Sequence, residues 1–197
     1  MSKRERCTSC QRPLSHCFCS MLVKIYSVWP VKILQHPHEA KHALGTARIA
    51  ALCLQTCELA IATEQASETF IGAEENPVLV YPGPDSLPLD TLQGSPARPL
   101  LFLDATWRKS RRMLLESPAL AQLPRYSLPN PPISRYRIRR EPMPEALSTL
   151  EAIVHSLALL EGDLEKFEPL LRIMDALVDE QIAQMGQEVY ERNYNQD

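Results

Sequence analysis

No part of this 197-residue chain approaches the roughly 18 uninterrupted apolar residues that a bilayer-spanning helix needs. Its start, Met1-Ser2-Lys3-Arg4-Glu5-Arg6, is charged and no apolar h-region follows, which argues against a secretory signal. The expectation is a cytoplasmic protein with no membrane partner. Internal repeats are missing, so a repeat array is excluded. A regular histidine metal motif is missing too. His36, His38 and His42 share a polar loop with Pro37 at no ligand spacing, and proline breaks any helix there. That loop reads as a substrate-facing lip.

The last absence concerns charge. Residues 49–97 hold seven acids and no Lys or Arg, although the net charge is only -3. The cations are gathered elsewhere, eight against two acids in 1–48 and ten against Asp104 and Glu116 in 98–140. Residues 141–197 return to thirteen acids against three cations. Alternating blocks of this kind point to a footprint for an anionic polymer, with charge pairing between blocks across the fold as the alternative.

What the chain does have is a cysteine cluster, Cys7-Thr8-Ser9-Cys10 followed by Cys17-Phe18-Cys19. In a reducing compartment such cysteines serve metal or thiol chemistry rather than disulfides. A two-residue spacer lets both sulfurs of a knuckle face one tetrahedral ion. With Pro13 and few apolar residues the segment cannot order itself by burial, so structural zinc on Cys7, Cys10, Cys17 and Cys19 is expected. The one-residue spacer of the second pair is tight, which leaves His16 as a substitute ligand. Cys53 and Cys57, four apart in a helical pattern, read as small core residues.

The length suits one α/β domain with a small appendage, divided as residues 1–22 and 23–197. Val31–Gln35 reads as a strand and Ala43–Leu54 as the helix after it. Glu58–Ile61 and Pro77–Tyr81 read as further strands, and Tyr81-Pro82-Gly83-Pro84-Asp85-Ser86 as a rigid turn. Strands alternating with helices argue for a mostly parallel sheet with flanking helices. Residues 128–144, rich in proline and arginine, predict an extended loop presenting guanidinium groups. Ser148 and Glu151 form a capping box that opens a helix with apolar positions Leu150, Ile153, Val154, Leu157 and Leu160, ended by Gly162. A last amphipathic helix covers Phe167 to about Met185.

The most informative stretch is Leu101-Phe102-Leu103-Asp104-Ala105-Thr106-Trp107, followed by Arg108-Lys109-Ser110-Arg111-Arg112. It reads as a buried strand, Pro99–Leu103, delivering an acid, a hydroxyl and an indole to its carboxyl end. A basic helix, Arg108–Leu115, begins just beyond. In open α/β sheets ligands bind at that end of the strands. Asp104 is the candidate acid/base, with an N-cap role as its competitor.

Together these residues resemble the DTW-domain family, named for an Asp-x-Thr-Trp motif that Asp104-Ala105-Thr106-Trp107 matches. The cysteine pairs, Gln35-His36-Pro37-x-Glu39, Tyr81-Pro82-Gly83, Ser134-x-Tyr136-x-Ile138-Arg139 and Glu145-Ala146-Leu147-Ser148-Thr149-Leu150-Glu151 extend the likeness over nearly the full length. The resemblance implies a SPOUT-like α/β fold with a C-terminal trefoil knot, an exception to the rule that chains avoid knots. In the bacterial branch with a short cysteine segment it implies transfer of the 3-amino-3-carboxypropyl group of S-adenosylmethionine to N3 of a uridine in the tRNA variable loop.

For that reaction Asp104 would take the N3 proton or orient a water that does, and enclosure in a partly apolar site would raise its pKa. Thr106 would hold Asp104 or the substrate carboxylate. Trp107 would stack on uracil or adenine or lie beneath the sulfonium; a core indole is the alternative. The expected cofactor site comprises Tyr81, Pro82, Gly83, Leu103, Arg139, Ser148 and Thr149. Arg108, Lys109, Arg111, Arg112, Arg135, Arg137 and Arg140 supply phosphate contacts for tRNA. Lys3, Arg4, Arg6 and Arg12 extend that surface. Two other readings are a SPOUT-type methyltransferase and a non-enzymatic zinc-dependent RNA-binding protein. Monomer and homodimer are both compatible with the sequence.

Overall fold

The computed structural model describes residues 5–41, 45–138 and 146–194. Its strands are β1 (Val31–Gln35), β2 (Cys57–Ile61), β3 (Val78–Val80), β4 (Leu87–Pro88), β5 (Leu100–Asp104) and β6 (Arg125–Ser127). Its helices are α1 (Ala47–Cys53), α2 (Glu64–Ile71), α3 (Trp107–Glu116), α4 (Pro118–Ala121), α5 (Thr149–Glu161), α6 (Leu164–Met185) and α7 (Gln187–Tyr194). The strands form one six-stranded sheet in the order β2-β1-β5-β3-β6-β4, and every pairing is parallel.

β1 and β5 lie at the centre and are buried at every position, as apolar strands covered on both faces must be. Side chains alternate between those faces. Val31, Ile33, Leu100 and Phe102 join a core cluster with residues of α1, α5 and α6. Leu34, Leu101 and Leu103 join Ile71, Leu79, Leu114 and Leu120 on the other side. Continuing the first alternation puts Gln35 and Asp104, which are register partners, on the face covered by α5.

The connection after β1 runs outward to β2, and the connection after β5 runs the opposite way to β6. Neighbouring strands whose chains depart in opposite directions make a topological switch point, where a crevice opens beyond the strand ends. Asp104 is the last residue of β5 and stands in that crevice.

The capping box is present. The Ser148 side chain accepts from the Glu151 N–H, and the Glu151 carboxylate accepts from the Ser148 N–H. Gly162 closes α5 in the left-handed region at φ 72°, a conformation glycine adopts without a Cβ penalty. The helix expected from Ala43 begins at Ala47, with residues 42–44 outside the described set. It ends at Cys53, and Cys57 opens β2 instead of continuing the helix. The composition did not signal α2, α4, α7, β4 or β6.

The cysteine segment packs on the domain. Cys10 and Phe18 are buried in the same cluster as α6. Arg12 donates to Glu180 Oε2 at 3.0 Å, and His16 Nδ1 lies 2.6 Å from Glu180 Oε1. Among the described residues no helix is long and apolar enough to cross a membrane.

Candidate functional site

Asp104 is 8% exposed and is held on both carboxylate oxygens. Gln35 Nε2 donates to Oδ2 at 2.7 Å, and Thr149 Oγ1 donates to Oδ1 at 2.6 Å. Its carbonyl accepts from the His36 N–H at 2.9 Å, so the loop after β1 extends the ladder across the crevice. These bonds fix the carboxylate from three elements. Asp104 is not the cap of α3; that position is Thr106, whose side chain makes no capping bond. Thr149, at the first turn of α5, supplies the hydroxyl on Asp104.

Two cavities flank this point and share Ala105 and Thr149. One, of about 210 Å³, is polar, with Glu39, Thr46, Asp104, Thr106 and Thr149 around it and Tyr136 and Ile138 along one side. The other, of about 80 Å³, is walled by Val80, Phe102, Leu103, Leu147 and Trp107, with Tyr81 and Pro82. Carboxylates and hydroxyls thus gather around the first chamber and apolar side chains around the second, with a common wall. Gly83 lines a separate groove with Tyr81, Pro82 and Trp107. Ser148 lines the polar chamber, but its hydroxyl is spent on the cap and on Met174 Sδ at 3.5 Å. Arg139 and Arg140 lie outside the described residues, as does His42.

Trp107 starts α3 and meets Tyr81 edge-on, ring centroids 5.5 Å apart. Tyr81 OH is 3.1 Å from Ser110 Oγ, which also donates to the Trp107 carbonyl at 3.1 Å. At helical spacing, Trp107, Ser110 and Leu114 therefore face inward while Arg108, Arg111 and Arg112 are exposed. The indole Nε1 is buried and has no hydrogen-bond partner among the described residues.

The arginine-rich loop is fixed by acids rather than left extended. Glu151, 1% exposed, accepts from Arg135 N at 2.6 Å and from Ser134 Oγ at 2.9 and 3.1 Å. Arg135 bridges Glu168 at 2.9 Å and Asp175, and Arg137 pairs with Asp179. Lys109 pairs with Glu39 at 3.0 Å, and Arg112 with Glu116 at 2.6 Å. Charge pairing across blocks thus accounts for Lys109, Arg135 and Arg137. Burial and the nearby Lys109 charge hold His36 below its usual pKa. The neutral ring's Nδ1 accepts from the His38 N–H at 3.2 Å.

The four cysteine Sγ atoms lie within 4.8 Å of one another. The Cys7–Cys19 and Cys10–Cys17 separations are 3.6 and 3.7 Å. Tetrahedral coordination at a Zn–S length of about 2.3 Å implies sulfurs about 3.8 Å apart, so the cluster could hold such an ion. Backbone N–H groups of Cys10 and Ser9 pull Cys7 down to about 6. Burial and the neighbouring thiols push Cys19 up to about 12. His16 is not in this group; it points to Glu180 and to Gln184. Arg12 is buried against Glu180 and does not extend a basic surface, while Lys3 and Arg4 lie outside the described residues.

Sequence reasoning gave no role to Gln35, Glu39 or Tyr136, and gave Glu151 only its part in the capping box. Gln35, Glu39 and Tyr136 stood in the family-like motifs, but nothing local marked them as neighbours of Asp104.

The DTW domain model matches residues 4–182. The chain is 32% identical over 193 residues to tRNA-uridine aminocarboxypropyltransferase 2 of Drosophila melanogaster, covering 92% of this chain and 76% of that protein. It is 29% identical to the Mus musculus protein of the same name, over 94% of this chain and 66% of that one. Against tRNA-uridine aminocarboxypropyltransferase A of Arabidopsis thaliana the figures are 24%, 89% and 80%. These relatives are animal and plant proteins. The chain spans just under two thirds of the mouse protein's length. No solved structure matches the chain.

Proposed function

Because the chain belongs to the DTW-domain family, we propose that it is a tRNA-uridine aminocarboxypropyltransferase. It moves the 3-amino-3-carboxypropyl group of S-adenosylmethionine to N3 of a uridine in the tRNA variable loop. One observation carries the reading. A buried carboxylate, fixed on both oxygens by Gln35 and Thr149, stands at a sheet switch point between a polar and an apolar chamber.

S-adenosylmethionine supplies an electrophilic γ-carbon whose bond to sulfur breaks as N3 attacks, leaving neutral methylthioadenosine. The protein must take the N3 proton as that bond forms. Asp104 is the acceptor, directly or through a water, and Gln35 and Thr149 keep its oxygens aimed into the crevice. Thr46, Thr106 and Thr149 line the polar chamber, which suits the amino-acid end of the cofactor. Val80, Leu103, Leu147 and Pro82 line the chamber suited to its apolar part. Trp107 forms the wall between that chamber and the outer surface, where Tyr81 and Gly83 continue it.

We assign the N-terminal cluster a structural zinc on Cys7, Cys10, Cys17 and Cys19. Four thiolates leave no open coordination position, so the ion braces the segment and does no chemistry. Residues 1–22 form that zinc segment and 23–197 the catalytic domain. The domain is SPOUT-related, with its C-terminal part threaded as a trefoil knot, and it works in the cytoplasm. The family resemblance and the open parallel sheet support this reading.

By-product analysis tests the reaction. Purified protein incubated with S-adenosylmethionine and unmodified tRNA releases methylthioadenosine. Release of S-adenosylhomocysteine instead would make it a methyltransferase.

A further inference from the structure

The proposed reaction leaves a large concavity beside the apolar chamber unassigned. A groove of about 820 Å³ runs between the Tyr81–Pro84 turn and α3, lined by Trp107, Arg111, Leu114 and Leu115 and by Arg125 of β6. It shares Tyr81, Pro82 and Trp107 with the apolar chamber next to Asp104. No acid lines it.

Two observations say what it takes. Lys109, Arg112, Arg135 and Arg137 are all committed to carboxylates, but Arg111 and Arg125 have no ion pair among the described residues. Two guanidinium groups facing one groove repel each other until an anion sits between them. The second observation is the Trp107 N–H, a buried donor without an acceptor among the described residues, on a side chain that lines both groove and chamber. A buried donor left unmade is costly, so the missing acceptor is one that arrives with a ligand.

Resting on the aminocarboxypropyltransferase reading, we infer that this groove receives the tRNA nucleotide to be modified. Arg111 and Arg125 hold its flanking phosphates, and its ring lies against Trp107. One of the two carbonyls beside N3 accepts from the indole N–H, which orients N3 toward the chamber at Asp104. S-adenosylmethionine carries a sulfonium and no phosphate, so it offers nothing to a pair of arginines. An unstacked nucleotide offers both an aromatic face and phosphates, the combination by which single-stranded RNA is recognised.

The test uses the full chain as purified, with tRNA binding measured across a KCl series and S-adenosylmethionine binding measured by calorimetry. Arg125→Ala should reduce the salt slope by about 0.7–0.9 with cofactor affinity unchanged, and Arg125→Lys should restore the slope. Replacing Trp107 by 3-benzothienylalanine keeps a bicyclic ring of nearly the same shape and puts sulfur where the N–H was. It should raise KM for tRNA roughly tenfold without lowering the melting temperature. A wild-type slope in Arg125→Ala overturns the inference. So does a loss of cofactor affinity in that variant, which would give the groove to S-adenosylmethionine. Product formation by the wild type is scored separately: without it the functional reading fails, while the groove stands or falls by the slope.

Discussion

Replacing Glu151 by alanine tests how the wall beside Asp104 is held. The carboxylate is 1% exposed and accepts from Ser148 N at 2.7 Å, Arg135 N at 2.6 Å and Ser134 Oγ at 2.9 and 3.1 Å. Alanine removes half of the capping box, worth about 1 kcal/mol. It also strands the Arg135 N–H and the Ser134 hydroxyl, at about 1–3 kcal/mol for each donor that finds no water. The sum is on the order of 3–7 kcal/mol, a large share of a domain stability of roughly 5–15 kcal/mol. For a chain of this size that lowers the melting temperature by roughly 10 °C.

Glu151→Gln keeps one acceptor and can donate to Ser134, so it should lose about half as much. Calorimetry or denaturant titration followed by circular dichroism measures both. The loop that Glu151 anchors also carries Tyr136 and Ile138, which line the polar chamber. Cofactor affinity should therefore fall with stability. An alanine variant melting within about 2 °C of wild type, with unchanged cofactor affinity, would refute the account of this carboxylate.

Two further outcomes follow from the geometry. Replacing Cys7 and Cys10 by Ser should reduce bound zinc from about one per chain to none by elemental analysis and expose the segment to protease. Unchanged metal content would move the ligand set elsewhere. Arg135→Ala with Arg137→Ala should weaken S-adenosylmethionine binding through the loosened loop and leave the salt slope of tRNA binding intact. A reduced slope with unchanged cofactor affinity would return both arginines to the RNA surface.

The sequence revealed elements whose signal is local. Val31–Gln35 and Leu100–Asp104 are short apolar runs, and Ser148 and Glu151 sit at capping-box spacing, so strands and helix followed directly. β6 was invisible because Arg125-Tyr126-Ser127 has neither apolar alternation nor length; it is an interior strand because it pairs between β3 and β4, with Tyr126 buried in the core. The DTW motif located the crevice, but the partners of Asp104 lie 69 and 45 residues away, and no local pattern encodes such distances. The same holds for charge. Blocks of opposite sign were legible, whereas the pairing of Arg135 and Arg137 with α6 acids needed the fold. That pairing separates the cations that brace the site from those free to meet RNA.

The central claim is that Asp104 drives aminocarboxypropyl transfer to uridine N3. The most direct measurement digests unmodified tRNA, incubated with S-adenosylmethionine and either wild type or Asp104→Asn, to nucleosides for mass spectrometry. Wild type should yield 3-(3-amino-3-carboxypropyl)uridine, and Asp104→Asn should bind tRNA normally yet yield at most a few per cent of that product. A fully active Asp104→Asn, or a wild type that leaves every uridine unchanged, would contradict the account.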